Sequence, residues 1–210
     1  MFLAHLVLLV VVLLAPGAAS AQALEQQVKA AFLFRFLSFV EWPQQDGGAA
    51  SAAASAAASG AQGGAANGAA NGAVSGAVSG AVSGAPLVIG VLGADDVRAE
   101  LEQIAAGRAV RRRPVVVQQV KEGDHADHLH ILFVGRGSTA QLRKLAAMPG
   151  VLLVAESEGA LEHGVVINFV VRDDRVRFEV APEEAERRGL RIGARMLAVA
   201  LHVKGGPVRP

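Results

Sequence analysis

The chain has 210 residues, with 20 Lys and Arg against 19 Asp and Glu, and its net charge is +1. This balance contains no basic domain that would track phosphate, so we expect no nucleic-acid partner, and it does not indicate an acidic substrate. The sequence has no cysteine, so the core must be stable without disulfides.

Residues 1–21 have the pattern of a secretory signal peptide. They carry no Lys, Arg, Asp or Glu, and their apolar run, 6–14, is shorter than the roughly 20 residues of a membrane span. Ala19, Ser20 and Ala21 form a small-residue cleavage site. We therefore predict export to the periplasm with cleavage near Ala21; a cut after Ala23 and an uncleaved anchor are the alternatives.

Residues 28–43 form the densest apolar segment after the leader and contain Trp42, the only Trp. Apolar residues recur there at steps of three and four, which predicts one broad buried face of a helix. Pro43 disfavours helix at Trp42, so the helix should end near Glu41. The apolar face is predicted to contain Val28, Ala31, Phe32, Leu33, Phe36, Leu37, Phe39 and Val40, with Lys29, Arg35 and Ser38 opposite.

Residues 47–85 consist almost entirely of Ala, Gly, Ser, Asn and Val, without any charge. Such a segment buries little side-chain area against a backbone entropy of about 1 to 2 kcal/mol per ordered residue. We interpret it as a disordered insert or tether. The single folded domain would then comprise the helix region 22–46 and residues 86–204, followed by a tail, 205–210.

Short apolar runs alternate with helical patterns from residue 86 onward. They predict an α/β domain with a mostly parallel sheet, helices on both faces and an antiparallel β-hairpin at the edge. The predicted strands are 87–92, 115–120, 131–134, 151–154, 165–171 and 176–180. The predicted helices are 95–106, capped by Asp95 or Asp96, one after Ser138 reaching Met148, and a short turn or helix between Ser157 and Gly164.

The C-terminal segment cannot be one helix, because residues 182–203 would carry an apolar arc wider than half the circumference. A break at Gly189 resolves this, with a helix over 182–188, an extended stretch over 190–192 and a second helix from Ala194. The side chains then assigned to the core are Leu190, Ile192, Met196, Leu197 and Leu201.

Residues that carry chemistry do not form a recognisable active site. Gly90 and Gly93 match no nucleotide-binding fingerprint and are interpreted as strand-end glycines. One metal-like group contains imidazole and carboxylate side chains of the kind that bind zinc, but their spacing is weak evidence for a metal site. We interpret the group as a solvated loop: Asp124, His125, Asp127, His128 and His130. The neighbouring carboxylates lie in a predicted hairpin turn or in the first turns of a predicted helix, where acidic side chains are favoured for structural reasons: Asp173, Asp174, Glu183, Glu184 and Glu186. We predict no catalytic residue, cofactor or metal.

Several segments together resemble the YfiR family of periplasmic regulators. The resemblance covers nearly the whole mature chain apart from the insert, and it depends on order and spacing rather than on one motif. Its segments are the Lys-Ala-Ala helix ending in Trp42-Pro43, IGVLG at 89–93, ILFVG at 131–135, the VLLV strand, GVVINF at 164–169, VRFE at 176–179 and AERRGLRIGARMLAVA at 185–200.

The resemblance implies a non-enzymatic α/β protein, often homodimeric, that restrains an inner-membrane diguanylate cyclase through its periplasmic domain. Lower cyclic di-GMP and biofilm output would follow, and contact with the membrane would be through the partner only. Redox control by cysteine bridges is not carried over, because Leu129 stands where the family often has a Cys. The long insert is a second departure from the family pattern.

The proposed partner-binding residues lie in the last of these segments: Glu184, Arg187, Arg191 and Arg195. The three arginines are spaced four apart and would form one basic ridge if the two short helices were collinear. A solubilising surface is the competing interpretation of these charges. A small-ligand-binding α/β lobe is the alternative function, and an enzyme is the third.

Overall fold

The computed structural model describes residues 17–42, 84–136 and 142–205, with side chains from residue 21 onward. Most of the predicted leader, nearly all of the insert, Ser138 and most of the tail lie outside these ranges. The described residues form an α/β fold with an eight-stranded, mostly parallel sheet and a separate two-stranded sheet. The predicted fold class is confirmed.

The strands are mostly short. In chain order they are β1 (Val40–Glu41), β2 (Leu87–Leu92), β3 (Ala109–Val110), β4 (Arg113–Gln119), β5 (Ile131–Val134), β6 (Leu152–Ala155), β7 (Ile167–Arg172), β8 (Arg175–Val180), β9 (Arg191–Ile192) and β10 (His202–Val203). The large sheet has the order β10-β8-β7-β6-β5-β2-β4-β3, and β1 pairs with β9 in the separate sheet.

One helix is much longer than the others. The α-helices are α1 (Gly17–Phe39), α2 (Asp95–Ala105), α3 (Leu142–Leu145), α4 (Pro182–Arg187) and α5 (Ala194–Val199), and a 3₁₀ helix spans Ala160–His163. Among the described residues, no helix combines the length and the apolar character that crossing a membrane requires.

Five neighbouring strands, β4-β2-β5-β6-β7, run parallel, and β7 and β8 form the predicted antiparallel hairpin. The chain leaves β2 through α2 to reach β4, then crosses back over β2 to form β5. The strands that follow β2 therefore lie on opposite sides of it, β4 on one side and β5 on the other. Sheets of this kind bind ligands in the crevice where the direction changes, at the carboxyl ends of the strands.

The central parallel strands β2, β5 and β6 bury both faces, because alternate side chains enter two hydrophobic clusters. Ile89, Ile131 and Leu152 belong to the larger cluster, which includes residues of α1, α2, α4 and α5. Val88 and Leu132 belong to the smaller cluster, under α3 and the 3₁₀ helix. Helices thus cover both faces of the sheet.

Helix α1 ends at Phe39 rather than near Glu41, because Val40 and Glu41 pair with Ile192 and Arg191 as strand β1. A two-residue strand depends on a partner far along the chain, which helical periodicity cannot reveal. The assignment of side chains to the two faces of α1 also needs correction. Ala31 is exposed, whereas Lys29 and Ala30 are buried.

Three further predictions about local structure differ from the fold. Ala94, not Asp95, occupies the N-cap of α2, and the Asp95 carboxylate instead accepts a hydrogen bond from Gln119 at 2.9 Å. Gly90 lies inside β2, where a Cβ would come within 2.6 Å of Leu129. Leu201, expected in the core, is 45% exposed. The predicted break at Gly189 is confirmed, since its φ is +73°.

The two ends of the insert are held at one place in the fold. Trp42 donates from Nε1 to the carbonyl oxygen of His130 at 3.1 Å. Arg113 lies 2.9 Å from His130 Nε2 and donates from Nε to the carbonyl oxygen of Ala85 at 2.7 Å. The chain therefore leaves and re-enters the domain beside the same histidine.

Candidate functional site

A cavity of about 880 Å³ lies at the carboxyl edge of the sheet, between the N-terminal half of α1 and the ends of the parallel strands. Gly93 follows β2, Arg136 lies just beyond β5 and Glu156 follows β6, and all three line the cavity. This is the crevice that the strand order predicts for ligands. Its volume lies in the range of roughly 300 to 1,000 Å³ that is usual for small-molecule sites.

Lys29 forms the buried centre of this cavity wall. Lys29 is 1% exposed, and its ammonium group pairs with the carboxylates of both Glu25 and Glu156. Arg136 adds a longer contact from Nη2 to Glu25 at 3.3 Å, and its backbone N–H donates to Glu156 at 3.3 Å. A buried ammonium group is tolerated only when it is paired and hydrogen-bonded, so this network keeps Lys29 in place.

The expectation that Lys29 faces away from the core is wrong. Lys29 precedes Leu33 by four residues and Phe36 by seven, so it lies on the same helical face as the buried side chains. The spacing alone contained this signal. Its positive charge suggested solvent instead, because the two carboxylates that neutralise it cannot be recognised from helical spacing.

The four predicted partner-binding residues lie on three elements. Glu184 and Arg187 belong to α4 and form an ion pair of 2.6 Å, Arg191 is in β9, and Arg195 is in α5. All three arginines are exposed. Because strand β9 separates α4 from α5, the ridge is not one continuous helical face, and none of the four residues lines the cavity.

Arg188 is buried beside this surface, although its sequence neighbour Arg187 is exposed. Its guanidinium donates to the carbonyl oxygens of Val151 and Gly164, with the Val151 contact at 3.3 Å. Burial lowers the pKa of Arg188 to about 10, against the opposing effect of Glu184. Arg188 therefore attaches the end of α4 to the residue just before β6 and to the residue just after the 3₁₀ helix. Its position three residues after buried Ala185 was the available signal.

The loop that carries the metal-like group does not assemble a site. Among residues 17–42, 84–136 and 142–205, no three His, Asp or Glu side chains are grouped closely enough to hold a metal ion. Asp124 instead accepts the backbone N–H of Lys121 at 2.8 Å, and His128 contacts Gln118 at 2.7 Å.

His130 is not part of a solvated loop, because it is only 5% exposed. Its Nδ1 accepts the backbone N–H of Val88 at 3.2 Å, and Nε2 faces Arg113. Trp42 packs edge-on against the ring with centroids 5.5 Å apart. Both ring nitrogens thus face N–H groups, an arrangement that disfavours a second proton on the imidazole.

We expect acid to destabilise the fold through His130. Burial, with Arg113 and His128 nearby, lowers the pKa of His130 from 6.5 to about 4. The neutral ring therefore contributes fully above pH 6.5, and this contribution is lost as the pH falls toward 4, because the unfolded chain binds the proton first. The loss should reach about 3 kcal/mol, measured by urea unfolding across this window.

His130→Gln should flatten this pH dependence. His128→Gln should preserve most of it, because burial is the largest cause of the lowered His130 pKa and His128 is the smallest. An equal slope in the two variants would assign the acid sensitivity to other groups.

Residues 79–201 match the model of a protein family described as YfiR/HmsC-like, which covers more than half of the chain. No curated protein matches the sequence.

Proposed function

Because this chain belongs to the YfiR/HmsC-like family, we propose that it is a periplasmic regulator without enzymatic activity that restrains an inner-membrane diguanylate cyclase. It would bind the periplasmic domain of the cyclase and so lower cyclic di-GMP and biofilm output. The family membership carries this proposal. The leader pattern supports export, with cleavage near Ala21.

The contact surface that we propose is the arginine ridge, defined as Glu184, Arg187, Arg191 and Arg195. Arg187 is already paired with Glu184. Arg191 and Arg195 are exposed and have no ion pair within the described part of the chain. Arginine forms forked, directional pairs with carboxylates, so this surface suits an acidic partner.

Two exposed apolar side chains lie in the same C-terminal segment and support this assignment. Val199 is 63% exposed and Leu201 is 45% exposed. Protein interfaces commonly combine apolar contacts with a charged rim, and arginine is enriched among their strongest contacts. The partner surface would therefore be acidic around an apolar centre.

We expect Arg191→Glu to release the cyclase and raise cyclic di-GMP in cells, because the reversed charge would repel an acidic partner. The measurement is cyclic di-GMP in cells that carry the cyclase, with the melting temperature of the purified variant. Glu41 lies opposite Arg191 in the β1–β9 register. The variant therefore places two carboxylates across a strand pair, which costs about 0.2 to 1 kcal/mol.

Arg195→Glu provides a second test without this cross-strand partner, because Arg195 lies in α5. Arg143→Glu is the matched control: it makes the same charge change at an exposed position of α3, next to the smaller cluster. Unchanged cyclic di-GMP in both ridge variants, at normal expression, would reject the ridge as the contact surface.

A homodimer is a further part of the proposal and rests on the family resemblance. Light scattering of the purified protein tests it independently of cyclase binding. An intact mass measurement on the exported protein tests the cleavage position.

A further inference from the structure

The cavity at the carboxyl edge of the sheet has the features of a small-molecule site separate from the arginine ridge. It lies where the strand order changes direction, and its volume is about 880 Å³. Its buried end is polar and one wall is apolar. These two parts define the chemistry of a ligand.

The buried end is electrically balanced. Lys29 and Arg136 contribute two positive charges, and Glu25 and Glu156 contribute two negative charges. The other charged residues that line the cavity are exposed: Asp96, Asp174 and Arg175. Beside Lys29 and Glu156, whose side chains are 2% and 10% exposed, a charged ligand group would be an uncompensated charge in a largely desolvated position. The balance of charges at the buried end therefore favours a ligand whose polar group is neutral.

Two hydrogen-bonding positions of this end are unused by the described residues. The Lys29 ammonium has three N–H groups, of which the carboxylates of Glu25 and Glu156 accept two. Gln26, which also lines the cavity, has a buried side-chain oxygen that accepts no hydrogen bond from the described part of the chain. A ligand group that both accepts and donates a hydrogen bond would satisfy both positions.

The apolar wall consists of side chains from α1, α2 and the β7–β8 hairpin. Phe32 is only partly buried despite its contacts with Phe36 and Phe178. The large apolar residues of this wall are Leu24, Val28, Phe32, Val97, Val171 and Val176. They can cover an apolar ligand body, which gains affinity from removal of its surface from water.

We propose that this cavity binds a small neutral molecule with a hydroxyl or carboxamide group on an apolar body. The polar group lies between Lys29 and Gln26, accepting a hydrogen bond from the ammonium and donating one to the amide oxygen. The apolar body packs against Phe32 and the neighbouring valines.

The test is an NMR titration of the purified protein with phenylacetamide, followed through backbone amide shifts. Phenylacetate and phenethylamine, of similar size, are the comparison probes, because one only accepts and the other only donates. We expect saturable binding of phenylacetamide, with shifts around Lys29, Gly93 and Glu156. Each charged probe should bind about ten-fold more weakly, the ratio expected for one unsatisfied polar contact.

Two adjacent glutamines provide matched variants. Gln26→Leu removes the buried acceptor and should weaken phenylacetamide binding about ten-fold. Gln27→Leu makes the same change at an exposed position that does not line the cavity, and it should leave affinity unchanged. A melting curve for each variant separates lost binding from lost folding.

The proposal fails if phenylacetamide does not saturate, if a charged probe binds as tightly, or if the two glutamine variants bind alike. None of these results would reject the arginine ridge as the contact surface for the cyclase, because none of the ridge residues lines the cavity.

Discussion

Replacement of Phe36 by alanine is expected to lower the free energy of unfolding by about 3 to 5 kcal/mol. Phe36 is 1% exposed and contacts three other aromatic rings. Its ring centroid lies 5.3 Å from that of Phe178, edge-on, and 6.0 Å from that of Phe169, stacked. Truncation removes these contacts and leaves a cavity between α1 and the β7–β8 hairpin, which the rigid sheet cannot fill.

Urea unfolding at neutral pH measures this effect. Phe34→Ala is the control on the same helix, because Phe34 is only partly buried and lies at the edge of the cluster. We expect it to cost clearly less than Phe36→Ala. A loss below about 1 kcal/mol for Phe36→Ala would contradict the packing of α1 on the sheet.

Lys29→Met should also destabilise the protein by about 3 to 5 kcal/mol, the usual result of removing one member of a buried ion pair. Methionine is unbranched like lysine, one atom shorter and uncharged. The carboxylates of Glu25 and Glu156 therefore lose the ammonium group between them, and the exposed Arg136 remains beside Glu25 only at 3.3 Å. The side chain of Glu156 is only 10% exposed, so water can solvate its charge poorly.

The double variant Lys29→Met, Glu156→Gln should recover part of this loss, because it removes one of the two facing charges. Arg35→Met is the surface control, and it should change stability by no more than about 0.5 kcal/mol, since Arg35 is exposed. Equal stability of the single and double variants would show that the two carboxylates do not interact.

The central strands could be located from sequence because β2, β5 and β6 are buried on both faces. Such strands are continuous apolar runs, and their limits were placed within one residue. The two-residue strands were different. β3 and β10 were not predicted at all, since so short a strand is defined by its hydrogen-bonding neighbour rather than by its own composition.

The candidate sites were predicted less completely than the fold. Arg191 and Arg195 were expected on the surface, and both are exposed. Lys29, Arg188 and His130 were not expected inside, although all are buried. Each depends on partners from distant elements, such as Glu156 for Lys29 and the carbonyl oxygen of Gly164 for Arg188. Helical periodicity identifies which side chains share a face of a helix, but it does not identify the charged and polar groups of other elements that contact that face.

The convergence of both insert ends beside His130 has a consequence for how α1 is attached. The family match begins at residue 79, so α1 lies outside the matched part and joins it covalently only through the insert. Trp42 donates to His130, and Ala85 accepts from Arg113, which contacts the same histidine, so the two ends of the insert lie close together. Helix α1 thus resembles a tethered peptide ligand of the sheet, held at high effective concentration. A break in the connecting chain would convert its folding into a bimolecular association, so that stability would depend on protein concentration.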